Sequence, residues 1–142
     1  MSKNILSKKE FETLSHFRYQ LRRFLRFSEQ ITHDMGITNL QYLLLLHIKG
    51  FHGKDWASIS ELAERLQSHH HGVVSLVTRC EKLDLVYRQK SESDKRVMEV
   101  RLTPAGLKAV EKIARLHRDE LLSLQGVFKV PGSQELAGDE ED

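Results

Sequence analysis

For most of its length this chain repeats apolar residues at steps of three and four, but across residues 98–102 it changes to steps of two. That change constrains the fold more than any other feature. Side chains recur every 3.6 residues on a helix and alternate sides on a strand, so the two rhythms cannot share one element. In "VMEVRL", Met98, Val100 and Leu102 take one side, and Glu99 and Arg101 take the other. The preceding "LVYRQK" is rich in β-formers and "SESD" between them is turn-forming, so a β-hairpin is expected.

The segments around it read as helices. Leu14, Phe17, Leu21, Phe24, Ser28 and Ile31 form one continuous stripe, and Ser7 with Glu10 makes a capping box at its start. Thr38 and Gln41 repeat that signature before "LQYLLLLHIKG", where Gly50 is the expected stop. "FHGKDWA" reads as a connector. Ser58 and Glu61 announce a third helix with Ile59, Leu62, Ala63 and Leu66 on one face. A fourth is expected from about Ser68 to Leu83, with Val73, Leu76, Val77, Cys80 and Leu83 turned inward. After the hairpin, Thr103 caps a last long helix that has Pro104 at its first position. Leu107, Val110, Ala114, His117, Leu121, Leu124 and Phe128 form its stripe.

The predicted fold class is therefore mainly α with a small β-hairpin wing. Two short helices joined by a tight turn and followed by a basic hairpin are the parts of a winged helix-turn-helix. The charge distribution suits that reading. All 22 Lys and Arg residues lie at or before Lys129, while five of the 20 acids lie beyond it. The bulk of the chain is thus moderately basic, and "PGSQELAGDEED" has little to bury. The outward face of the fourth helix carries His69, His70, His71, Ser75, Thr78, Arg79 and Lys82, with Val74 placed to touch a thymine methyl. The hairpin adds Arg88, Lys90, Lys95, Arg96 and Arg101 against Glu92, Asp94 and Glu99.

The set "ELAERL … LVTRCEKLDLVYRQKSESDKRVMEVRLTPAG" resembles the winged-helix core of the MarR family of bacterial transcriptional regulators, closely from Ile59 to Gly106. The resemblance implies a single domain over residues 1–131, with residues 1–50 and 103–131 as the helical dimerisation part. Residues 55–102 are then the winged helix-turn-helix, and residues 132–142 a disordered acidic tail. It also implies a homodimer on a palindromic double-stranded DNA operator, held through its N- and C-terminal helices, and usually a repressor. A cytoplasmic location is expected separately, from the lack of a membrane-span run and of a signal-peptide pattern. Some members open the recognition helix with a His-His-Ser segment, here His70, His71 and Gly72. Asp94 and Arg96 occupy the family's Asp-x-Arg positions, where the arginine reaches the minor groove and the aspartate positions the wing. The expected DNA-binding residues are Ser68, His69, His70, His71, Val74, Ser75, Arg79, Arg88, Lys90, Asp94, Lys95 and Arg96.

Other chemistries fare worse. Adjacent helical residues point about 100° apart, so the three histidines cannot converge on one ion. His16, His33, His47, His52 and His117 could assemble a metal site only through the fold, which keeps a metal-sensing regulator as an alternative. Cys80 falls at a core position and reads as a small hydrophobe. No nucleophile elbow, P-loop, dinucleotide fingerprint or H-E-x-x-H motif is present, so neither an enzyme nor a cofactor is expected. No apolar run has the length of a membrane span. A helical protein-interaction module without DNA is the other alternative, opposed by the basic hairpin. Family members often respond to aromatic or amphipathic organic effectors. Phe17, Arg18, Tyr19, Arg22, Tyr42, His47 and Trp56 are the residues that could line such a cavity, and no ligand is assigned to them.

Overall fold

The computed structural model describes residues 5–124 and 129–136. Its elements run α1 (Lys8–Asp34), α2 (Asn39–Lys49), β1 (Trp56–Ser58), α3 (Ile59–Leu66), α4 (His70–Lys82), β2 (Val86–Lys90), β3 (Met98–Leu102), α5 (Pro104–Ser123) and the single turn α6 (Ser133–Leu136). These fall into two compact units, residues 29–117 and residues 1–28 with 118–142.

The caps follow the sequence signals. Ser7 and Glu10 exchange side chain-to-backbone hydrogen bonds of 2.9 and 3.0 Å. Thr38 with Gln41 and Ser58 with Glu61 do the same before α2 and α3. Glu61 is tied further. Burial would raise its pKa, but hydrogen bonds from Lys54 and from the Ser58 backbone, with the Lys54 charge, outweigh that and lower it. Lys54 lies 2.8 Å from Glu61 and also covers the Trp56 ring at 3.7 Å.

In the unit of residues 29–117, α2, α4, the sheet and the start of α5 enclose the core. Leu44, Leu45, Ile48, Leu62, Val77, Val100 and Ile113 are fully buried there. Cys80 is buried among them, and burial pushes its thiol up to about 11, so it stays protonated near neutrality. Tyr42 stacks on His117 at 5.0 Å, and the His117 Nδ1 lies 3.0 Å from the Ile113 carbonyl.

Three expectations are corrected here. The connector holds a strand: β1 pairs with β3, giving a three-stranded antiparallel sheet in the order β1-β3-β2. A three-residue strand inside a Gly- and charge-rich stretch leaves no periodicity to read. α4 begins at His70, after a turn, and Leu83 follows its end at 49 % exposed instead of lining the core. Within the expected tail, Ser133–Leu136 form a helical turn with Glu135 accepting from the Gly132 amide at 2.8 Å. Phe128 and the tail beyond residue 136 lie outside the described residues.

In the other unit Phe17, Leu21 and Phe24 of the stripe are half-buried, and several large apolar residues are left at the surface. Phe11, Leu14, Tyr19 and Leu25 on α1 and Leu121 and Leu122 on α5 are all exposed.

The join between the sheet and α5 is the tightest contact. The Thr103 amide donates to the Leu85 carbonyl at 3.1 Å, and its hydroxyl donates to the Asp84 carbonyl at 2.6 Å. That hydroxyl also accepts from the Gly106 amide at 2.9 Å, capping α5. A Cβ on Gly106 would stand 2.0 Å from the Leu85 oxygen, which is backbone and cannot swing aside. Gly106→Ala should therefore destabilise by more than about 2 kcal/mol, despite the higher helix propensity of alanine. Denaturant unfolding checks this, and an unchanged midpoint would contradict it.

Candidate nucleic-acid interface

The turn between α3 and α4 sets the approach of the second helix. Gln67 ends α3 in the left-handed region at φ 52°, its amide bonding back to the Ala63 and Glu64 carbonyls. The Ser68 hydroxyl turns back to the Leu66 carbonyl at 3.3 Å. The chain then passes extended through His69, which caps α4 with backbone alone.

α4 separates its faces as the helical period demands. Val73, Leu76, Val77 and Cys80 are buried, while His69, His70, His71, Ser75 and Arg79 are exposed and Val74 is half-buried. The rings of His69 and His71 lie parallel, with centroids 6.0 Å apart. One exposed surface at the first turn of a helix thus carries three imidazoles, a hydroxyl one turn on and a guanidinium beyond it. Those are donors for phosphate oxygens and for guanine N7 and O6.

The wing tip is built around Asp94. The Ser91 amide donates to the Val97 carbonyl at 3.0 Å and the Val97 amide donates to the Asp94 carbonyl at 2.9 Å, closing the turn. The Asp94 carboxylate accepts from the Arg96 amide and Nε, both at 3.1 Å, and from Nη2 at 3.2 Å. Those hydrogen bonds lower the Asp94 pKa, the guanidinium first and the backbone amide second. Arg96 is left 90 % exposed but aimed, one edge of its fork fixed and the other facing solvent. Lys90 and Lys95 are exposed beside it.

Arg88 departs from the expectation of a groove contact. Alternation along β2 puts it opposite Val100, on the core side of the sheet. From there its Nη2 donates to the Thr78 hydroxyl at 2.7 Å and to the Val74 carbonyl at 3.3 Å, while Nε lies 3.5 Å from the Glu81 carboxylate. It clamps the wing to α4. Thr78, expected on the outward face of α4, and Glu81, not singled out by any motif, complete that clamp. The parity of Val86 and Arg88 in "VYRQK" was the available signal. Arg101 is likewise held by protein, through Glu99 at 2.8 Å.

Of the residues considered for an effector cavity, Tyr42 is buried against His117 and Trp56 lies under Lys54, while Arg18, Tyr19 and Arg22 are exposed on α1. Burial lowers the pKa of His47, with the Arg65 charge adding to it. Among the described residues, no three His, Cys, Asp or Glu side chains are grouped to hold a metal ion. No described helix is long and apolar enough to cross a membrane.

Replacing Arg88 by Met should cost about 1–3 kcal/mol, because a part-buried hydroxyl, carbonyl and carboxylate lose a charged donor. The unfolding midpoint reads this directly. An unchanged midpoint, with a weaker salt dependence of DNA binding, would return Arg88 to the DNA-facing set.

Comparison with known proteins agrees with this architecture. Residues 35–97 match the MarR family model. AbsC, a MarR family transcriptional regulator from Streptomyces coelicolor, superposes with a TM-score of 0.74 at 25% identity, over 89% of this chain and 84% of that one. MepR, a transcription regulator of the Staphylococcus aureus multidrug efflux pump MepA, gives 0.69 at 24% identity, over 80% and 82%. A MepR–DNA complex from S. aureus gives 0.60 at 26% identity, over 78% and 87%. No curated protein sequence matches the chain.

Proposed function

We propose that this chain, whose residues 35–97 match the MarR family model, is a sequence-specific, double-stranded DNA-binding transcriptional regulator of that family. The observation that carries this is the pairing of two exposed basic elements on one clamped frame. The α4 face and the Arg96 tip are joined through Arg88, so they meet a duplex as one body. A MepR chain of the same fold has been solved on DNA.

In this reading His69, His70, His71, Ser75 and Arg79 enter the major groove and meet its phosphates, with Val74 against a thymine methyl. Ser68 and Lys90 contact the backbone. Lys95 and Arg96 take the minor groove, whose negative potential attracts arginine, while Asp94 holds the fork in place.

The protein acts as a homodimer. The exposure of Phe11, Leu14, Tyr19 and Leu25 on α1 and of Leu121 and Leu122 on α5 supports this, since large exposed apolar side chains are what an association surface supplies. Two recognition helices about 34 Å apart would then meet successive major grooves of a palindromic operator. Repression relieved by a small aromatic or amphipathic effector completes the proposal.

The test is Arg96→Ala, a substitution at a fully exposed side chain. Operator affinity in a mobility-shift titration should fall by about 1–3 kcal/mol, with the unfolding midpoint unchanged. Wild-type affinity in the variant would remove Arg96 from the interface.

A further inference from the structure

A concavity of about 480 Å³ lies within residues 29–117, lined by none of the residues assigned to DNA. Its size falls in the range of small-molecule pockets. Tyr87 and Arg101 line it, paired across β2 and β3 on the sheet face opposite Arg88. The end of α2 contributes Lys49, the connector contributes Asp55, and the start of α5 contributes Pro104 and Leu107.

The charges define what could bind. Arg101 is oriented in advance, since Nε at 3.0 Å and Nη2 at 2.8 Å both bond one Glu99 oxygen, leaving Nη1 free of that pair. Lys49 and Asp55 are exposed and form no ion pair among the described residues. The cleft therefore presents one unpaired charge of each sign, Lys49 and Asp55, beside the Glu99-paired Arg101. A simple organic anion would face Asp55 as well as the cations, and a simple cation would face Lys49 and Arg101. A zwitterion satisfies both. Pro104, Leu107 and the 42 % exposed Tyr87 supply the apolar surface for a side chain.

We propose that this cleft, bounded by Lys49, Asp55, Tyr87 and Arg101, binds an α-amino acid with an apolar side chain. The carboxylate turns toward Lys49 and Arg101, the ammonium toward Asp55, and the side chain lies on Tyr87 and Leu107. The assignment is independent of DNA binding and is measured without DNA.

The chain has one tryptophan, Trp56, and β1–β3 pairing sets it beside Arg101. Its fluorescence reports on the cleft, and titration calorimetry gives a second signal. L-Phenylalanine is the probe, with 3-phenylpropanoate and 2-phenylethylamine as analogues lacking the ammonium or the carboxylate. Saturable binding of L-phenylalanine is expected. Lys49→Gln and Asp55→Asn, both at exposed positions, should each weaken it about tenfold or more with unchanged unfolding midpoints, as should removal of either ligand charge. No fluorescence or heat signal from L-phenylalanine would overturn the proposal, as would wild-type affinity in both variants. Equal affinity for 3-phenylpropanoate would replace the zwitterion with an organic anion and overturn it too.

Discussion

The pleat of the three-stranded sheet is the constraint on which the rest of the molecule depends. β3 is hydrogen-bonded along both edges, and its central Val100 is fully buried. Ala57, Val100 and Arg88 lie in one row across the strands, and Trp56, Arg101 and Tyr87 lie in the next. Because successive side chains point to opposite faces, those rows look in opposite directions. One row packs on the core and sends Arg88 to α4; the other gives Arg101 and Tyr87 to the cleft. A one-residue slip of β2 would turn Arg88 away from α4 and bring Tyr87 and Gln89 to the core side, unfastening the helix. The register is pinned at the base of the hairpin, where Thr103 and Gly106 leave no room between Leu85 and α5.

On that frame the division of labour among charged residues follows from burial. Arg88, Arg101 and Lys54 are all partnered by carboxylates and hold protein together. Arg79, Lys90 and Lys95 are exposed, and Arg96 is exposed but steadied by Asp94. A long flexible arginine loses side-chain entropy when it is fixed in a groove. Fixing one edge of the guanidinium beforehand lowers that loss, so an acid at the wing tip is compatible with the proposed groove contact when it is paired in this way.

Much of this was legible in the residues. Each capping box seen in the sequence, at Ser7, Thr38 and Ser58, appears as a pair of reciprocal hydrogen bonds, because the signal is local and its geometry fixed at three residues. The period-two run located β3, and Thr-Pro located the start of α5. What was hidden is non-local. β1 is a strand only because β3 lies beside it, and nothing within Trp56–Ser58 shows this. Arg88 looks like any basic hairpin residue until Thr78, ten positions earlier, is seen to meet it. The paired Arg101 and the cleft beside it are products of the same tertiary contacts. Leu83 shows the opposite case, a residue continuing an inward stripe past the point where its helix has ended.

The central claim, that this winged helix grips duplex DNA through both of its basic elements, is tested most directly by fluorescence anisotropy across a salt series. The protein would be titrated onto DNA from upstream of its own gene and onto a scrambled duplex of equal length. The account predicts tight binding to the first, weaker binding to the second, and log affinity falling linearly with log salt as phosphate-bound counterions are released. Absence of binding to either duplex at low salt would contradict it.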